Sequence, residues 1–357
     1  MVFVAAVAVA AVAAGGVLAA GRGPQNDPST AAPLVTSVPL KMAPASTVKI
    51  DAKSLARGAD PRITYLRDRT VFSGDGSRVK VPGTAEIFAV GRLHDAVLTL
   101  QLDQGQRSAL VIFDASGKQI GRVAAADSLV TSADGQASAY ASGGRYAANP
   151  EAGGTVYYQH SAAEPPDKLP LPNVYDLQVL GVTERTVYFR AGKIDSPWQL
   201  YHWQVGQPKP VVLDKLASPT VLSGDGTLAA GYTVYNDSGS CTAVAPPTTG
   251  THWWRTCQYQ LTHFSPGKVF AAGTPVGQPL YGDVRAVALD AKTGSRLREW
   301  TGPSLRGSIA EDDDHLLLQW HDRDEHVSNS ALVRCTVSTG ACEVAAPLAP
   351  GALVIGS

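Results

Sequence analysis

The densest group of polar side chains that could take part in chemistry is the run His321-Asp-Arg-Asp-Glu-His326. His321, His326 and a carboxylate between them could together hold a divalent metal ion. Their spacing matches no standard zinc motif, and Arg323 would place a positive charge among the ligands. We therefore interpret the run as a solvated charged loop and predict no metal site.

Two further groups are open to a chemical interpretation. The run Asp312-Asp-Asp314 resembles part of a calcium loop, but it lacks the further Asp or Asn, Gly and Glu that such a loop needs at fixed offsets. We interpret it as an acidic turn. The neighbours Trp253 and Trp254 could bind a sugar ring. Because a Trp side chain buries a large apolar area, we favour a packing role for them.

Nucleophilic catalysis has no support in the sequence. The chain contains no G-x-S-x-G motif. Ser-His-Asp triads need no local signature, so this absence weighs little. We predict no catalytic residue and no cofactor.

The four cysteines form two pairs, each on either side of a predicted turn. Cys241 and Cys257 flank Thr249-Gly250, and Cys335 and Cys342 flank Gly340. Facing strands bring Cα atoms to about 4.5–5.5 Å, which is within disulfide reach. We predict the disulfides Cys241–Cys257 and Cys335–Cys342, which indicate an oxidising compartment. The alternative is a four-cysteine zinc site, but no C-x₂-C pair is present.

The elements that must position these residues repeat along the chain. Turn signals centre near Gly74–Gly76, Gly117, Ala163, Gly206, Gly250, Gly294 and Gly340, and from Gly117 onward the intervals are 46, 43, 44, 44 and 46 residues. A period of about 40–45 residues with several short strands is typical of a β-propeller with one four-stranded blade per repeat. We predict an all-β, seven-bladed propeller, with six or eight blades as alternatives.

The first predicted blade lacks one strand. Ile63–Leu66, Thr70–Phe72 and Val79–Val81 provide three strands, and the chain ends with Ala352-Leu-Val-Ile355. We predict that this C-terminal run supplies the fourth strand and closes the ring, because closure removes exposed edges. The competing candidate is Val48–Asp51.

Two turn motifs carry a family resemblance. Ser-x-Asp-Gly turns such as Ser223-Gly-Asp-Gly226, and Asp-x-x-Thr-Gly turns such as Asp290-Ala-Lys-Thr-Gly294, resemble those of the WD40-like/TolB-type bacterial propellers. The resemblance covers about residues 60–357. The segment from Ala288 to Trp300 also resembles the tryptophan-docking repeat of quinoprotein propellers. Those enzymes use the repeat in most blades, whereas it appears once here.

The N-terminal residues have a different composition. Residues 1–20 contain no charged side chain and could just cross a bilayer, so we predict a hydrophobic helix over residues 1–21 that is a transmembrane anchor or a signal peptide. No Lys or Arg precedes the run, which a true start further upstream would explain. A buried Ala-rich helix is the alternative. We assign residues 22–58 to a flexible linker rich in Pro, Ser, Thr and Ala, and residues 59–357 to the propeller.

Charge and compartment limit the partners. The formal net charge is −1, so the chain lacks the basic field that nucleic-acid binding requires. The disulfides and the N-terminal segment together predict a propeller outside the cytoplasm, and we expect it to be a monomer. It is held at the cell membrane by one N-terminal anchor, or is secreted if residues 1–20 are cleaved.

Long loops of a rigid ring are the usual place for binding residues. In a propeller, the loops that join the second and third strands of each blade share one face. Four of these loops are long here, and we predict that they form the ligand-binding face. The candidate residues are Tyr146, Tyr235, Asn236, Asp237, Tyr281, His321, Asp322, Asp324 and His326. The alternative is that these residues are only solvated loop positions.

Two classes of function remain open. The first is a non-catalytic module that binds a protein or a cell-envelope ligand, either alone or as a scaffold subunit. The second is an enzyme (a quinoprotein-like oxidoreductase, a lyase or a glycan hydrolase) with its site at the mouth of the central channel. Three or more acidic, His or Arg side chains with strongly shifted pKa values at that mouth would favour the enzyme.

Overall fold

The computed structural model describes residues 46–102, 108–143, 153–193, 196–236, 239–277, 283–322, 329–351 and 353–356. These residues form β-strands and turns, and none of them lies in a helix. No segment among them could cross a bilayer as a helix. In chain order the strands are β1 (Thr47–Lys49), β2 (Tyr65–Arg67), β3 (Thr70–Phe72), β4 (Arg78–Lys80), β5 (Glu86–Leu93), β6 (Ala96–Leu102), β7 (Ser108–Phe113), β8 (Gln119–Ala124), β9 (Ala126–Thr131), β10 (Ser138–Gly143), β11 (Gly154–Gln159), β12 (Asp167–Leu171), β13 (Asp176–Val182), β14 (Thr186–Gly192), β15 (Gln199–Gln204), β16 (Val211–Leu213), β17 (Pro219–Leu222), β18 (Ala229–Asn236), β19 (Gly239–Ala245), β20 (Trp254–Thr256), β21 (Tyr259–Phe264), β22 (Phe270–Pro275), β23 (Asp283–Asp290), β24 (Arg296–Ala310), β25 (His315–His321), β26 (Asn329–Thr336), β27 (Cys342–Pro350) and β28 (Leu353–Ile355).

The strands form antiparallel sheets of four. Strands β5–β8, β9–β12, β13–β16 and β17–β20 each make one sheet in sequence order, and a fifth has the order β28-β2-β3-β4. Strands β21–β27 form one larger sheet, to which β1 adds beside β24. The long strand β24 belongs to two groups of four, because residues 296–301 pair with β23 and residues 305–310 pair with β25.

The first strands of the groups meet around a common centre. Strand β5 contacts β9, and the series continues through β13, β17 and β21 to β24, while β28 contacts β5. Between the last group and the first, Gln319 Nε2 donates a hydrogen bond of 2.7 Å to the Leu353 carbonyl oxygen. Leu353 also packs with Leu317 and Leu332 in one apolar cluster. The first strands therefore line the centre of a closed ring.

The C-terminal strand closes the first sheet, as the sequence predicts. Strand β28 pairs antiparallel with β2, with Ile355 opposite Tyr65 and Leu353 opposite Arg67. The competing segment around Val48 lies elsewhere, because β1 pairs in parallel with β24. The inner edge of β2, which would otherwise be free to pair with another chain, is thereby covered.

Residues 46–60, most of which fall in the predicted linker, pack along the large sheet. Ile50 is only 1% exposed and lies in the core of that sheet. The Arg57 guanidinium donates a hydrogen bond of 2.8 Å to the Val344 carbonyl oxygen. Arg334 donates to the carbonyl oxygens of Ala59 (3.0 Å) and Asp60 (2.9 Å). Apolar side chains at Val48 and Ile50 give this segment a buried face that a solvated linker would lack.

Indole rings join neighbouring groups of four strands at the turns between their outer strands. Trp254 Nε1 donates to the Ala291 carbonyl oxygen (2.8 Å), and Trp300 Nε1 donates to the Gly340 carbonyl oxygen (3.4 Å). A Cβ atom at Gly294 would lie 2.6 Å from the Trp254 ring, and the φ of Gly294 is +72°. Glycine is therefore required at that turn both by space and by backbone conformation. The predicted packing role holds for Trp254, whereas Trp253 is 45% exposed.

The Ser-x-Asp-Gly turns are held by side-chain hydrogen bonds to the backbone. Ser223 Oγ donates to Asp225 Oδ1 (2.8 Å) and accepts from the Leu228 N–H (3.0 Å). Asp225 Oδ1 also accepts from the Thr227 N–H (3.1 Å), and Gly226 adopts a φ of +73°. Short polar side chains and glycine are the residues that such turns favour, which explains why the motif recurs.

Both predicted disulfides are present. Cys241 in β19 is bonded to Cys257, which directly follows β20, and Cys335 in β26 is bonded to Cys342 in β27. Cys335 and Cys342 stand directly opposite each other in the strand register. Each bond links the two outer strands of one group of four.

Candidate functional site

An open cavity of about 630 Å³ lies at the centre of the ring. The inner strands β5, β21, β24 and β28 and the end of β25 form its walls. The size falls within the range of about 300–1,000 Å³ that is usual for ligand pockets. Its polar side chains are those of Glu86, His263, Arg306, Ser308, Gln319 and His321.

His321 is the most unusual group in this central cavity. It is the last residue of β25, pairs across the sheet with Ser330 of β26, and is only 9% exposed. Neither ring nitrogen has a hydrogen-bond partner among the residues that the structure describes. Burial and the positive charge of Arg306 lower the His321 pKa to about 4. The ring is therefore neutral at pH 7, with one N–H donor and one acceptor nitrogen unused.

This position corrects the interpretation of His321 as part of a solvated loop. The strand β25 is buried along most of its length, and its pairing with β26 continues through His321. The solvated interpretation is wrong for this residue because the sheet continues to the first residue of the polar run. Its neighbour Asp322 follows the strand and forms an ion pair of 2.6 Å with Lys53.

Three other charged or titratable side chains line the same cavity. His263 of β21 is half-buried in the cavity wall, and its burial lowers its pKa. Glu86 opens β5, and Arg306 lies in the inner part of β24. Neither Glu86 nor Arg306 forms an ion pair within 4.0 Å with any residue of the described ranges. Both side chains are exposed, so the described lining carries one positive and one negative charge in contact with solvent.

Acidic groups also begin the next two inner strands. Asp127 is the second residue of β9, and Asp176 is the first residue of β13. Burial, with a smaller contribution from the negative charge of Asp176, raises the Asp127 pKa to about 7. The Oδ1 atom of Asp127 is buried and has no hydrogen-bond partner among the described residues.

A second cavity of about 560 Å³ lies where β1 meets β24. Lys49, Ile50, Asp51, Arg285 and residues 301–303 line it. Arg285 is already within 3.8 Å of the Glu299 carboxylate. No lining residue of this second cavity has a buried polar atom without a partner in the described part of the chain, so it offers less to a ligand than the central cavity.

The predicted ligand-binding residues are partly within the described ranges. Tyr235 and Asn236 end β18, and the Tyr235 ring is 75% exposed and lies 5.1 Å from the Tyr232 ring. Of the predicted residues that the structure describes, only His321 lines the central cavity. The other predicted residues, Tyr146, Asp237, Tyr281, Asp324 and His326, lie outside the described residues.

The acidic turn makes contacts within the protein. Asp312 pairs with Arg62 and with His315 Nδ1, and Asp313 accepts a hydrogen bond of 2.6 Å from the Gly267 N–H. Asp314 accepts from the Ser338 N–H at 2.8 Å. Within the described ranges, no group of three or more His, Cys, Asp and Glu side chains could hold a metal ion.

Sequence reasoning missed Glu86, His263 and Arg306. Each of them belongs to a strand that was predicted as the inner strand of its group, or lies next to such a strand. Most neighbouring residues in these segments are apolar or small. A charged or imidazole side chain in an innermost strand was the available signal, because such a side chain can avoid burial only by facing the central channel.

No protein-family model matches the chain, and no protein of curated function matches it. Several solved structures do match it. The β-propeller domain of the Trilobed protease from Pyrococcus furiosus, which has an open velcro topology, matches with a TM-score of 0.51 at 9% identity, over 74% of this chain and 86% of that one. This chain has a β-propeller fold.

Two further solved structures are similar to this propeller. Prolyl oligopeptidase B from Galerina marginata matches with a TM-score of 0.52 at 11% identity, over 79% of this chain. The chain spans 45% of the length of that enzyme. TolB from Acinetobacter baumannii matches with a TM-score of 0.47 at 10% identity, over 84% of this chain and 80% of that one. At these identities the likeness concerns the fold alone.

Proposed function

We propose that the protein is a seven-bladed, TolB-type propeller that acts outside the cytoplasm as a non-catalytic binding module. The blade number follows if the large sheet is counted as two groups of four beside the five separate sheets. The TolB-type assignment is supported by the Ser-x-Asp-Gly and Asp-x-x-Thr-Gly turns. The ligand site that we propose is the central cavity.

The observation that carries this proposal is the state of His321. A buried polar atom without a hydrogen bond costs free energy, so native proteins keep such groups mainly where they serve a purpose. His321 is buried, leaves both ring nitrogens without partners in the described part of the chain, and faces a cavity of ligand size. A ligand that hydrogen-bonds to the ring would remove this cost.

The proposed compartment rests on the disulfides. Structural disulfides persist in oxidising environments and are rare in the cytosol. We propose that residues 1–21 export the propeller as a signal peptide or hold it at the membrane as an anchor.

A second candidate function is that of an enzyme with its active site in the same central cavity. Two histidines with lowered pKa values, His263 and His321, line the cavity and could exchange protons with a substrate. Among the lining residues that the structure describes, these two have shifted pKa values, which is fewer than the three that would favour catalysis. We therefore rank binding first.

A thermal-shift screen tests the proposal. Panels of amino acids, short peptides, sugars, organic acids and fatty acids are tested on the wild type, on His321→Leu and on His252→Leu, which changes an exposed histidine between β19 and β20. We expect at least one class to raise the wild-type Tm, with the shift at least halved in His321→Leu and unchanged in His252→Leu. Equal shifts in all three proteins, or no shift in the wild type, would overturn the proposal.

The same screen separates binding from catalysis. Each stabilising compound is incubated with the wild type, and the products are measured by mass spectrometry. Conversion of a compound by the wild type but not by His321→Leu would favour the enzyme. An unchanged compound would favour the binding module.

A further inference from the structure

We propose that the central cavity takes an apolar zwitterion, which is a molecule with a carboxylate and a protonated amine separated by an apolar chain. This inference rests on the proposed function, because it names the ligand class for the same cavity. Three features of the lining support it: two charges of opposite sign that form no ion pair within the described ranges, several apolar side chains, and a neutral histidine.

The two charges lie on different inner strands and do not neutralise each other. Glu86 belongs to β5 and Arg306 to β24, and both line the cavity without an ion pair among the described residues. An Arg side chain can hold a carboxylate through two parallel hydrogen bonds, and a Glu carboxylate accepts hydrogen bonds from an ammonium group. A ligand with only one charge would engage one of these two side chains and leave the other to solvent.

Apolar side chains make up much of the remaining lining. Ile87 and Leu353 are 6% and 5% exposed, and Phe88 is 41% exposed although it is a large apolar side chain. Val354 and Ile355 of β28 add two half-buried side chains to the wall. An apolar ligand segment would cover this surface, and the hydrophobic effect would favour its burial.

His321 makes the Arg306 side of the cavity chemically different from the Glu86 side. Arg306 is close enough to His321 for its charge to act on the ring, so a carboxylate held by Arg306 would lie within the environment of His321. The neutral ring can donate one hydrogen bond from its N–H group. The Arg306 side therefore offers a carboxylate both a charge and a neutral donor, whereas Glu86 offers neither.

Isothermal titration with simple probes tests the proposal. The probes are 4-aminobutanoate, 8-aminooctanoate and 12-aminododecanoate at pH 7.5, where both ends are ionised, with octanoate and octylamine as singly charged controls. We expect one of the zwitterions to bind at least about 10-fold more tightly than either control, because a hydrogen bond to a charged group is among the stronger ones. A trileucine series with free, acetylated or amidated ends then distinguishes a peptide from a simple aminoalkanoate.

Two variants assign the ends of the ligand. Arg306→Gln should reduce the affinity for the best zwitterion to that for octylamine and leave the affinity for octylamine unchanged. Glu86→Gln should reduce the affinity for the best zwitterion to that for octanoate and leave the affinity for octanoate unchanged. The matched controls Arg122→Gln and Glu184→Gln change exposed side chains outside the cavity and should alter nothing. The Tm of each variant establishes that it is folded.

The inference is overturned if octanoate and octylamine bind as tightly as every zwitterion, if no zwitterion binds, or if both variants bind the zwitterion as the wild type does. The proposed function would still hold if another compound class raised the Tm of the wild type more than that of His321→Leu. If no compound class did so, the proposed function would be overturned together with this inference.

Discussion

The buried, neutral state of His321 predicts a specific loss of stability in mild acid. Burial and Arg306 lower its pKa to about 4 in the folded protein, whereas an unfolded chain has a histidine pKa of about 6.5. Between these values the unfolded chain binds the proton first. The stability linked to the neutral ring is therefore fully present above pH 6.5 and is lost as the pH falls towards 4.

The size of this loss follows from the two pKa values. Between pH 7 and pH 5 the titration of His321 should cost about 2 kcal/mol of the free energy of unfolding, out of a total of about 3 kcal/mol for the whole shift. The substitution His321→Gln removes the titrating group. Other groups titrate alike in both proteins, so the difference in the free energy of unfolding between wild type and variant isolates His321.

Urea denaturation followed by tryptophan fluorescence at pH 7, 6 and 5 measures that difference. We expect the wild type to lose about 2 kcal/mol more than His321→Gln over this range. A direct check is the titration of the His321 ring proton by NMR, which should have its midpoint below pH 5. A midpoint near 6.5, with equal pH dependence in the two proteins, would refute the reasoning that the ring is buried, uncharged and close to Arg306.

Three further outcomes are expected from the structure. Leu353→Ala in the closing strand should lower the free energy of unfolding by about 2–5 kcal/mol because it opens a cavity at a buried site. Val354→Ala changes a half-buried side chain of the same strand and should cost clearly less. Equal losses for the two variants in urea denaturation would contradict the closure by β28. Between pH 5 and pH 8 the free energy of unfolding of Asp127→Asn should rise by about 3 kcal/mol relative to that of the wild type. The reason is that a carboxyl with a raised pKa loses its stabilising contribution as the pH rises through 7. Parallel pH profiles of the two proteins would disprove this. Replacing Cys335 and Cys342 together by Ala should cost about 2–3 kcal/mol through the greater freedom of the unfolded chain, and an unchanged Tm would show that this bond adds nothing to stability.

The sequence predicted the ring closure and the disulfides because both follow from a regular repeat. Once the period places Cys335 and Cys342 on facing strands, their pairing requires no long-range information. The same register leaves the first blade one strand short, so that Ala352–Ile355 is the natural completion. Local turn chemistry, such as that of Ser223 and Asp225, sets the register in each repeat.

The central cavity could not be predicted in the same way. Glu86, His263 and Arg306 are separated by up to 220 residues, and only the closed ring brings their strands together. The period identifies the inner strands but not which of their side chains face the channel, because register shifts occur within β5, β21 and β24. His321 was predicted as a candidate residue, yet its burial depends on how far β25 continues, and a polar run does not reveal this.

The closure of the ring and the formation of the cavity depend on the same strand. Residues 353–356 pair with or adjoin β2 on one side, and on the other they form part of the cavity wall together with residues of β5 and β24. Gln319, which lines the cavity, is hydrogen-bonded to Leu353. Removal of β28 would thus free the edge of β2 and open the cavity at once. A ligand that bridges Glu86 and Arg306 would bind only the closed ring, so it should stabilise the closed form in proportion to its affinity. Ligand binding would then be coupled to the pairing of the chain's last strand with one of its first.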